Sequence, residues 1–325
     1  MSVRRVLTPL VGVLLVSALA GLVSCTSGGG TAGSANRHGQ AVTVSDATGP
    51  VTLKAPARRV VALGWAYAED LLAVGASPVG MSEKAAYSPS VAAGPRPGRQ
   101  VEDVGNEQQP DIRSITRLRP DLIITAKSRP RSDINQLREI APVLVFDPNR
   151  PDMSGWQEMR ATFGAIATAV DRSDQARNVL AQLDASLARA RQKLADAGKS
   201  HTPSAVAQGY SRLGVPTIRV FTTASLAGDV LTQLGLQNAW RGRPEKDGYV
   251  TVDAQELAPV SMADFLYVAS TQDNPFVGML ARNAAWTDLD FVKTDRVHAL
   301  DPRTWLFGGP TSTEYYIDEV VRALS

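Results

Sequence analysis

The side chains best suited to chemistry in this 325-residue sequence are aromatic and basic, and they fall just after apolar runs. Trp65 and Tyr67 follow Arg59-Val-Val-Ala-Leu63, while Tyr87 and then Arg99 follow Pro78-Val-Gly-Met81. Lys127, Ser128 and Arg129 come after Asp121-Leu-Ile-Ile-Thr125, and Tyr210 and Arg212 come after Ala205-Val-Ala-Gln208. Arg303, Trp305 and Phe307 follow Arg296-Val-His-Ala-Leu300. Ligands of α/β sheets lie beyond the carboxyl ends of the strands, in the loops, so these are the candidate binding residues. Their types suit recognition rather than reaction. Aromatic faces wall a bulky, partly apolar ligand, and Arg, Lys and Tyr donate hydrogen bonds to its oxygens.

Catalytic constellations are missing. The chain has no Gly-x-Ser-x-Gly, no phosphate loop, no Gly-x-Gly-x-x-Gly after a strand and no His-Glu-x-x-His. A site for a free zinc or manganese ion needs several His and carboxylates converging. The three histidines are His38, His201 and His298, and none pairs at ligand spacing. His298 reads as a strand residue, and Glu69-Asp70 as the start of a helix, where the dipole favours acids. The expectation is a binder that is not an enzyme, with no cofactor and no metal ligands of its own.

The first residues carry an export signal. Arg4 and Arg5 precede an uncharged apolar run from Val6 to Val23, and Leu22-Val23-Ser24-Cys25 closes it. That is the layout of a secretory signal peptide over residues 1–24. Its end resembles the bacterial lipobox, in which the Cys is diacylated and becomes the mature N-terminus. The competing reading is an uncleaved membrane anchor, since about 18 apolar residues span a bilayer; Pro9 and the small residues weaken such a helix. Cys25 is the sole cysteine, so the mature chain has no internal disulfide. Residues 25–40 are Ser/Gly/Ala-rich and read as a tether whose ends lie roughly 20 Å apart. Localisation is expected at the outer face of the cytoplasmic membrane, by the lipid anchor. Removing the two arginines of residues 1–24 from the 34 basic residues leaves 32, equal to the 32 acidic ones. Nothing in that balance favours nucleic acid.

Elements that would position the binding residues follow from periodicity. Val42 to Leu53 reads as a hairpin about Gly49-Pro50. Apolar strands at 59–63, 78–81, 121–125 and 143–146 alternate with helices at 68–74, 112–118 and 134–140. Two longer helical patterns, 156–168 and 173–197, precede a second alternation of strands at 205–208, 218–221, 265–269 and 296–300 with helices at 229–234 and 314–324. Strands that are apolar throughout indicate parallel sheets covered on both faces. The fold class expected is α/β and bilobal: two doubly wound, mostly parallel-sheet lobes joined by a single long helix. The N-terminal lobe spans 41–152, the connecting helix 153–171 and the C-terminal lobe 172–325; one large doubly wound domain is the competing architecture.

Particular blocks add a resemblance. Arg58-Arg-Val-Val-Ala-Leu63, Glu69-Asp-Leu-Leu-Ala-Val-Gly-Ala-Ser-Pro-Val-Gly80 and Asp111-Ile-Arg-Ser-Ile-Thr-Arg-Leu-Arg-Pro-Asp-Leu-Ile-Ile124 lie in the first half. Leu137-Arg-Glu-Ile-Ala-Pro-Val-Leu-Val-Phe146, Leu234-Gly-Leu-Gln-Asn-Ala-Trp240 and Tyr249-Val-Thr-Val-Asp-Ala-Gln-Glu-Leu257 follow in order. From about residue 50 to its end the chain resembles the cluster-A substrate-binding proteins of siderophore, haem and vitamin B12 importers. Trp305-Leu-Phe-Gly308 and Asn238-Ala-Trp240 are similar to segments of ferric hydroxamate-binding proteins. The resemblance implies a monomer that clasps a ferric siderophore, hydroxamate type favoured, and hands it to an ABC permease with a cytoplasmic ATPase. Haem or a corrinoid would use the same aromatic surfaces. A helical connector also implies only slight closure of the lobes. Many relatives present one Glu per lobe to permease arginines; here those positions hold Arg113 and Gln255, with Asp111 and Glu256 beside them. Like charges across an interface are costly. Docking here calls for Asp111 and Glu256, a different permease, or a scaffold role in the cell envelope.

Overall fold

The computed structural model describes residues 39–245 and 247–325, so Cys25, His38 and the signal-peptide reading lie outside the described residues. The described chain opens on an antiparallel hairpin, β1 (Val42–Asp46) and β2 (Gly49–Leu53). Its turn is Ala47-Thr48 rather than Gly49-Pro50, because the Asp46 carboxylate accepts from both the backbone N–H and the hydroxyl of Thr48. The other oxygen of Asp46 accepts from the Val145 N–H and pins the hairpin to the first sheet.

That sheet is built from β3 (Val60–Leu63), α1 (Trp65–Ala73), β4 (Gly80–Met81), α2 (Lys84–Ser90), β5 (Glu102–Asp103), α3 (Ile112–Arg117), β6 (Leu122–Ala126), α4 (Arg131–Arg138) and β7 (Val143–Phe146). Its strands run parallel in the order β5-β4-β3-β6-β7. Successive side chains of a strand point to opposite faces. Accordingly Val60, Ala62, Leu122, Ile124, Leu144 and Phe146 enter one core, while Val61, Leu63, Ile123, Val143 and Val145 enter the other. Burial on both faces is why these runs are continuously apolar.

The connector is α5 (Gly155–Ala169). Ser154 and Gln157 form a capping box at its start. Its first turn belongs to the second half of the chain: the Trp156 N–H donates to Asp229, and Trp156 and Met159 pack in that core. Its last turns belong to the first half: Phe163 and Ile166 pack there, and the Ala169 carbonyl accepts from the Ala57 N–H. One helix is thus shared by two cores.

After α6 (Ser173–Asp196) come β8 (Pro203–Arg212), β9 (Val215–Phe221), α7 (Leu226–Gln233), β10 (Gln237–Asn238), β11 (Tyr249–Val252) and β12 (Asp264–Ala269). Short helices α8 (Ala284–Thr287) and α9 (Asp290–Lys293), β13 (Val297–Ala299) and α10 (Pro310–Leu324) complete the chain. The second sheet has the order β11-β9-β8-β12-β13, with β10 beside β8. β8, β10, β12 and β13 are parallel, but β9 runs antiparallel to both its neighbours, β8 and β11, so this lobe is more mixed than the sequence suggests. The cause is a tight hairpin. Leu213 and Gly214 sit at φ 51° and 76°, the left-handed pair that a two-residue turn between twisted strands requires. Tyr210 and Arg212 are therefore strand residues, not loop residues.

Glu69 and Asp70 also differ from expectation. The helix α1 starts four residues earlier than Glu69, at Trp65, because Gly64 takes φ 151° and lets β3 turn directly into it. Both acids are thereby buried in mid-helix. Glu69 faces another helix's dipole: its carboxylate accepts from the Thr311 hydroxyl (2.6 Å), the Ser312 N–H (2.7 Å) and the Ser312 hydroxyl (2.6 Å) in the first turn of α10. Gly308 and Gly309 permit that approach. A Cβ at 308 would lie 2.6 Å from a Glu69 oxygen, and one at 309 would lie 2.0 Å from an Asp70 oxygen. Glu69→Ala strands these donors in a buried site and should destabilise the protein by about 2–4 kcal/mol. Glu69→Gln, which keeps an acceptor, should cost less. Urea unfolding checks this, and an Ala variant with the wild-type midpoint would contradict the assignment.

Candidate ligand-binding cleft

Where the two lobes meet there is a cavity of about 400 Å³, a size suited to a small organic ligand. The first lobe contributes Gly64, Trp65, Tyr67, Asp70, Glu107 and Ser128, and the connector contributes Gly155, Glu158, Met159 and Thr162. From the second lobe come Arg219, Phe221, Ser225, Asp247, Tyr249 and the stretch Trp305–Gly309.

Rings cross this cavity in an unbroken series. Tyr87 meets Trp65 edge-on at 5.9 Å, Trp65 meets Trp305 at 5.0 Å, and Trp305 meets Phe307 at 5.3 Å. Phe307 meets Phe221 at 5.3 Å, and Phe221 meets Tyr249 at 5.9 Å. Each such pair adds about 0.5–1.5 kcal/mol beyond the area it buries. The series needs both halves of the clasp. Trp65 stands in the first turn of α1, and Trp305 in the segment that leads into α10, whose first turn Glu69 holds.

Charges are distributed unevenly around the rings. Arg219, on β9, is the one cation among the described lining residues. Its guanidinium lies 4.8 Å from the Tyr210 ring and 4.6 Å from the Tyr249 ring, a stacked arrangement that holds the group, and Nη1 donates to Gln208 Oε1 at 3.4 Å. The Arg219 Nε is buried and finds no hydrogen-bond partner among the described residues. The opposite wall is acidic. Burial, with the negative charges of Glu69 and Glu158 adding to it, pushes the Asp70 carboxyl well above its ordinary range. Burial likewise pushes Glu158 up to about 7, against the opposing bond it accepts from the Thr162 hydroxyl at 2.5 Å. Glu107 is raised as well, by burial first and then by Glu83. Asp70 Oδ1 and the indole nitrogens of Trp65 and Trp305 have no hydrogen-bond partner among the described residues. Buried polar atoms are seldom left so, and several at one cleft fit a site made for a ligand.

The structure brings Trp65, Tyr67, Ser128, Trp305 and Phe307 to the cavity, with Trp65 and Tyr67 on a helix rather than a loop. Tyr210 reaches it indirectly, as a stacking surface for Arg219. Other candidates are placed elsewhere. Tyr87 is fully buried behind Trp65 on α2. Arg129 is buried and turned inward: its Nε donates to the Thr125 hydroxyl (2.9 Å), and its other nitrogens donate to the carbonyls of Glu107 and Gln108. It shapes the cleft by holding that segment. Lys127 pairs with Asp147 at 3.0 Å and Arg303 with Asp301 at 2.9 Å. Arg99 and Arg212 are exposed and do not line the cavity.

Sequence reasoning missed Arg219, Tyr249, Asp70 and Glu158. The available signal was a charge in a buried pattern: Arg219 interrupts the apolar run of β9, and Glu158 lies on the buried side of α5. At the other proposed surface, Asp111 caps α3 by accepting from Arg113 N–H, Ser114 N–H and the Ser114 hydroxyl. Glu256 accepts from the Asp253 N–H. Arg113 and Gln255 are exposed. His298 donates or accepts at 2.9 Å with Asp264, within the second sheet.

Known proteins share this architecture. The family described as periplasmic binding protein matches residues 60–304. The probable siderophore-binding lipoprotein YfiY of Bacillus subtilis is 27% identical over 314 residues, covering 92% of each chain. The iron(3+)-hydroxamate-binding protein FhuD of Escherichia coli is 26% identical, over 80% of this chain and 84% of its own. A solved structure of the siderophore-binding protein FhuD from Vibrio cholerae, bound to Fe3+-Desferal, superposes with a TM-score of 0.71 at 26% identity. That match covers 82% of this chain and 97% of the other. These relatives are binding proteins rather than enzymes, and the Vibrio cholerae structure shares the fold described here. The match over both lobes, and over the helix that joins them, makes this chain a member of the periplasmic binding protein family.

Proposed function

We propose that the cleft captures a ferric siderophore, hydroxamate type favoured, and that the protein delivers it to an ABC permease served by a cytoplasmic ATPase. The observation that carries this reading is the series of rings from Trp65 to Tyr249 with the stacked Arg219 beside it. A ferric siderophore already wraps its iron, so the protein supplies walls and hydrogen-bond donors instead of metal ligands. Trp65, Trp305, Phe307 and Tyr249 form the walls. Arg219 and the indole nitrogens of Trp65 and Trp305 donate to the oxygens that surround the metal. The names of the YfiY and FhuD relatives support the same cargo.

Delivery would begin at the exposed faces around Arg113 and Gln255. The acids beside them, Asp111 and Glu256, already serve local backbone N–H groups. Docking here would therefore rely on a surface different from a pair of free glutamates. Export and lipid attachment at Cys25 complete the reading and would keep the binder close to its permease. A Cys25→Ser protein should leave the membrane fraction and appear in the soluble fraction. Retention in the membrane would contradict the anchor.

Tryptophan fluorescence tests the cargo, because Trp65 and Trp305 line the cavity. Titration with a ferric hydroxamate should give saturable quenching, stronger than with ferric catecholates, ferric citrate, haem or cobalamin. Trp305→Ala should weaken binding roughly ten- to a hundredfold, equivalent to about 1.4–2.8 kcal/mol, and Arg219→Gln should weaken it as well. Trp286→Phe, in the core of the second lobe, should leave affinity unchanged. Absence of quenching and thermal shift with every ligand would overturn the reading.

A further inference from the structure

One wall of the cleft carries the buried acids Asp70, Glu107 and Glu158, while the other carries Arg219 with Asp247. Asp70 is 2% exposed and Glu158 is 8% exposed, yet both line the cavity. Asp70 Oδ1 has no hydrogen-bond partner among the described residues. Gly309 packs closely against that oxygen, since a Cβ there would sit 2.0 Å from it. The basic residues that could have neutralised this end are engaged elsewhere: Arg129 with carbonyls and Thr125, Lys127 with Asp147, and Arg150 with Asp152. Arg219 stands on the other lobe, between its two tyrosines.

We propose that Asp70 and Glu158 form a subsite for a protonated amine, so that the cleft selects a hydroxamate siderophore carrying a free ammonium group. The inference rests on the siderophore reading above and specifies the ligand within it. The chemistry is that of a missing counter-ion. Two buried carboxyls without a paired cation are pushed towards their neutral forms, and an arriving ammonium supplies the charge that stabilises them as carboxylates. An ammonium has three donors and no acceptor, which matches an acceptor-only pair. The face of Trp65, lining the same cavity, favours a cation too. A metal ion fits less well, because among the described residues no group of three or more His, Cys, Asp or Glu could hold one. The ligand would then lie in one direction only, with the oxygen-rich ferric centre towards Arg219 and the amine towards Asp70.

Protons report on this subsite. Glu158 is pushed up to about 7, so part of the population is protonated at neutral pH. Tyr67, Glu69, Glu107, Asp147 and Arg150 face this end along with Asp70 and Glu158, and acids dominate among them. A bound ammonium lowers the carboxyl pKa values and expels protons. Affinity for the amine-bearing ligand should therefore rise from pH 6 to pH 8.

The test compares ferrioxamine B, a ferric hydroxamate with a terminal ammonium, with its N-acetylated form, which keeps the iron centre and loses the charge. Calorimetry in two buffers of different ionisation heat measures affinity and proton release together. Wild-type protein should bind the ammonium form at least about tenfold more tightly, releasing protons only with it. Asp70→Asn and Glu158→Gln should each reduce that preference and the proton release that accompanies it. The ligand comparison in the wild type stands even if a variant fails to fold. Equal affinity and equal proton release for the two ligands would overturn this inference and leave the siderophore reading intact. Binding of neither would overturn both.

Discussion

The first N–H groups of any helix lack partners within it, and in α10 they are buried at the junction of the two lobes. The Glu69 carboxylate meets them there from α1, together with the hydroxyls of Thr311 and Ser312. Much of the molecule is arranged around this contact. It fixes α10 against the first lobe, although α10 packs along α6 in the second. It requires glycines at 308 and 309, because side chains there would collide with Glu69 and Asp70. The segment immediately before them carries Trp305 and Phe307. Holding the start of α10 therefore holds these rings in line with Trp65 on one side and Phe221 on the other.

The connector imposes a complementary constraint. α5 begins in one core, tied to Asp229, and ends in the other, tied to Ala57. A rigid helix shared in this way does not fold back on itself as a strand hinge can. A backbone bond between Ala92 N–H and the Arg303 carbonyl adds a further tie between the halves. Wide opening would break these bonds and the Glu69 contacts together. The cleft is thus largely preformed, which lowers the ordering cost of binding. Capture then depends on matching the rings and charges already in place.

Those constraints also explain what could be read from the sequence. The strands β3, β6 and β7 are buried on both faces, so their runs of Val, Ile and Leu declare a parallel sheet without any knowledge of the partner strand. The length of α5 and its apolar spacing were equally legible, because a helix signals itself within one window. Long-range pairing left no such trace. Glu69 and Ser312 are 243 positions apart, and a Glu-Asp pair near an expected helix start reads as ordinary dipole chemistry. The turn at Leu213-Gly214 was hidden by Leu, a residue seldom found at positive φ, so the strand extension that carries Tyr210 was missed. Arg219 was passed over for a similar reason. A lone Arg in a strand becomes a binding group only once Tyr210 and Tyr249 are known to enclose it.

A cleft with a fixed ring series and one stacked guanidinium makes a positional claim about its cargo. Crystals grown with a ferric hydroxamate and measured at the iron absorption edge would locate the metal directly. The account predicts one anomalous peak inside the cleft, between Arg219 and Trp305, with the siderophore against the ring series. An iron peak outside the cleft, with the cavity left unchanged, would contradict it.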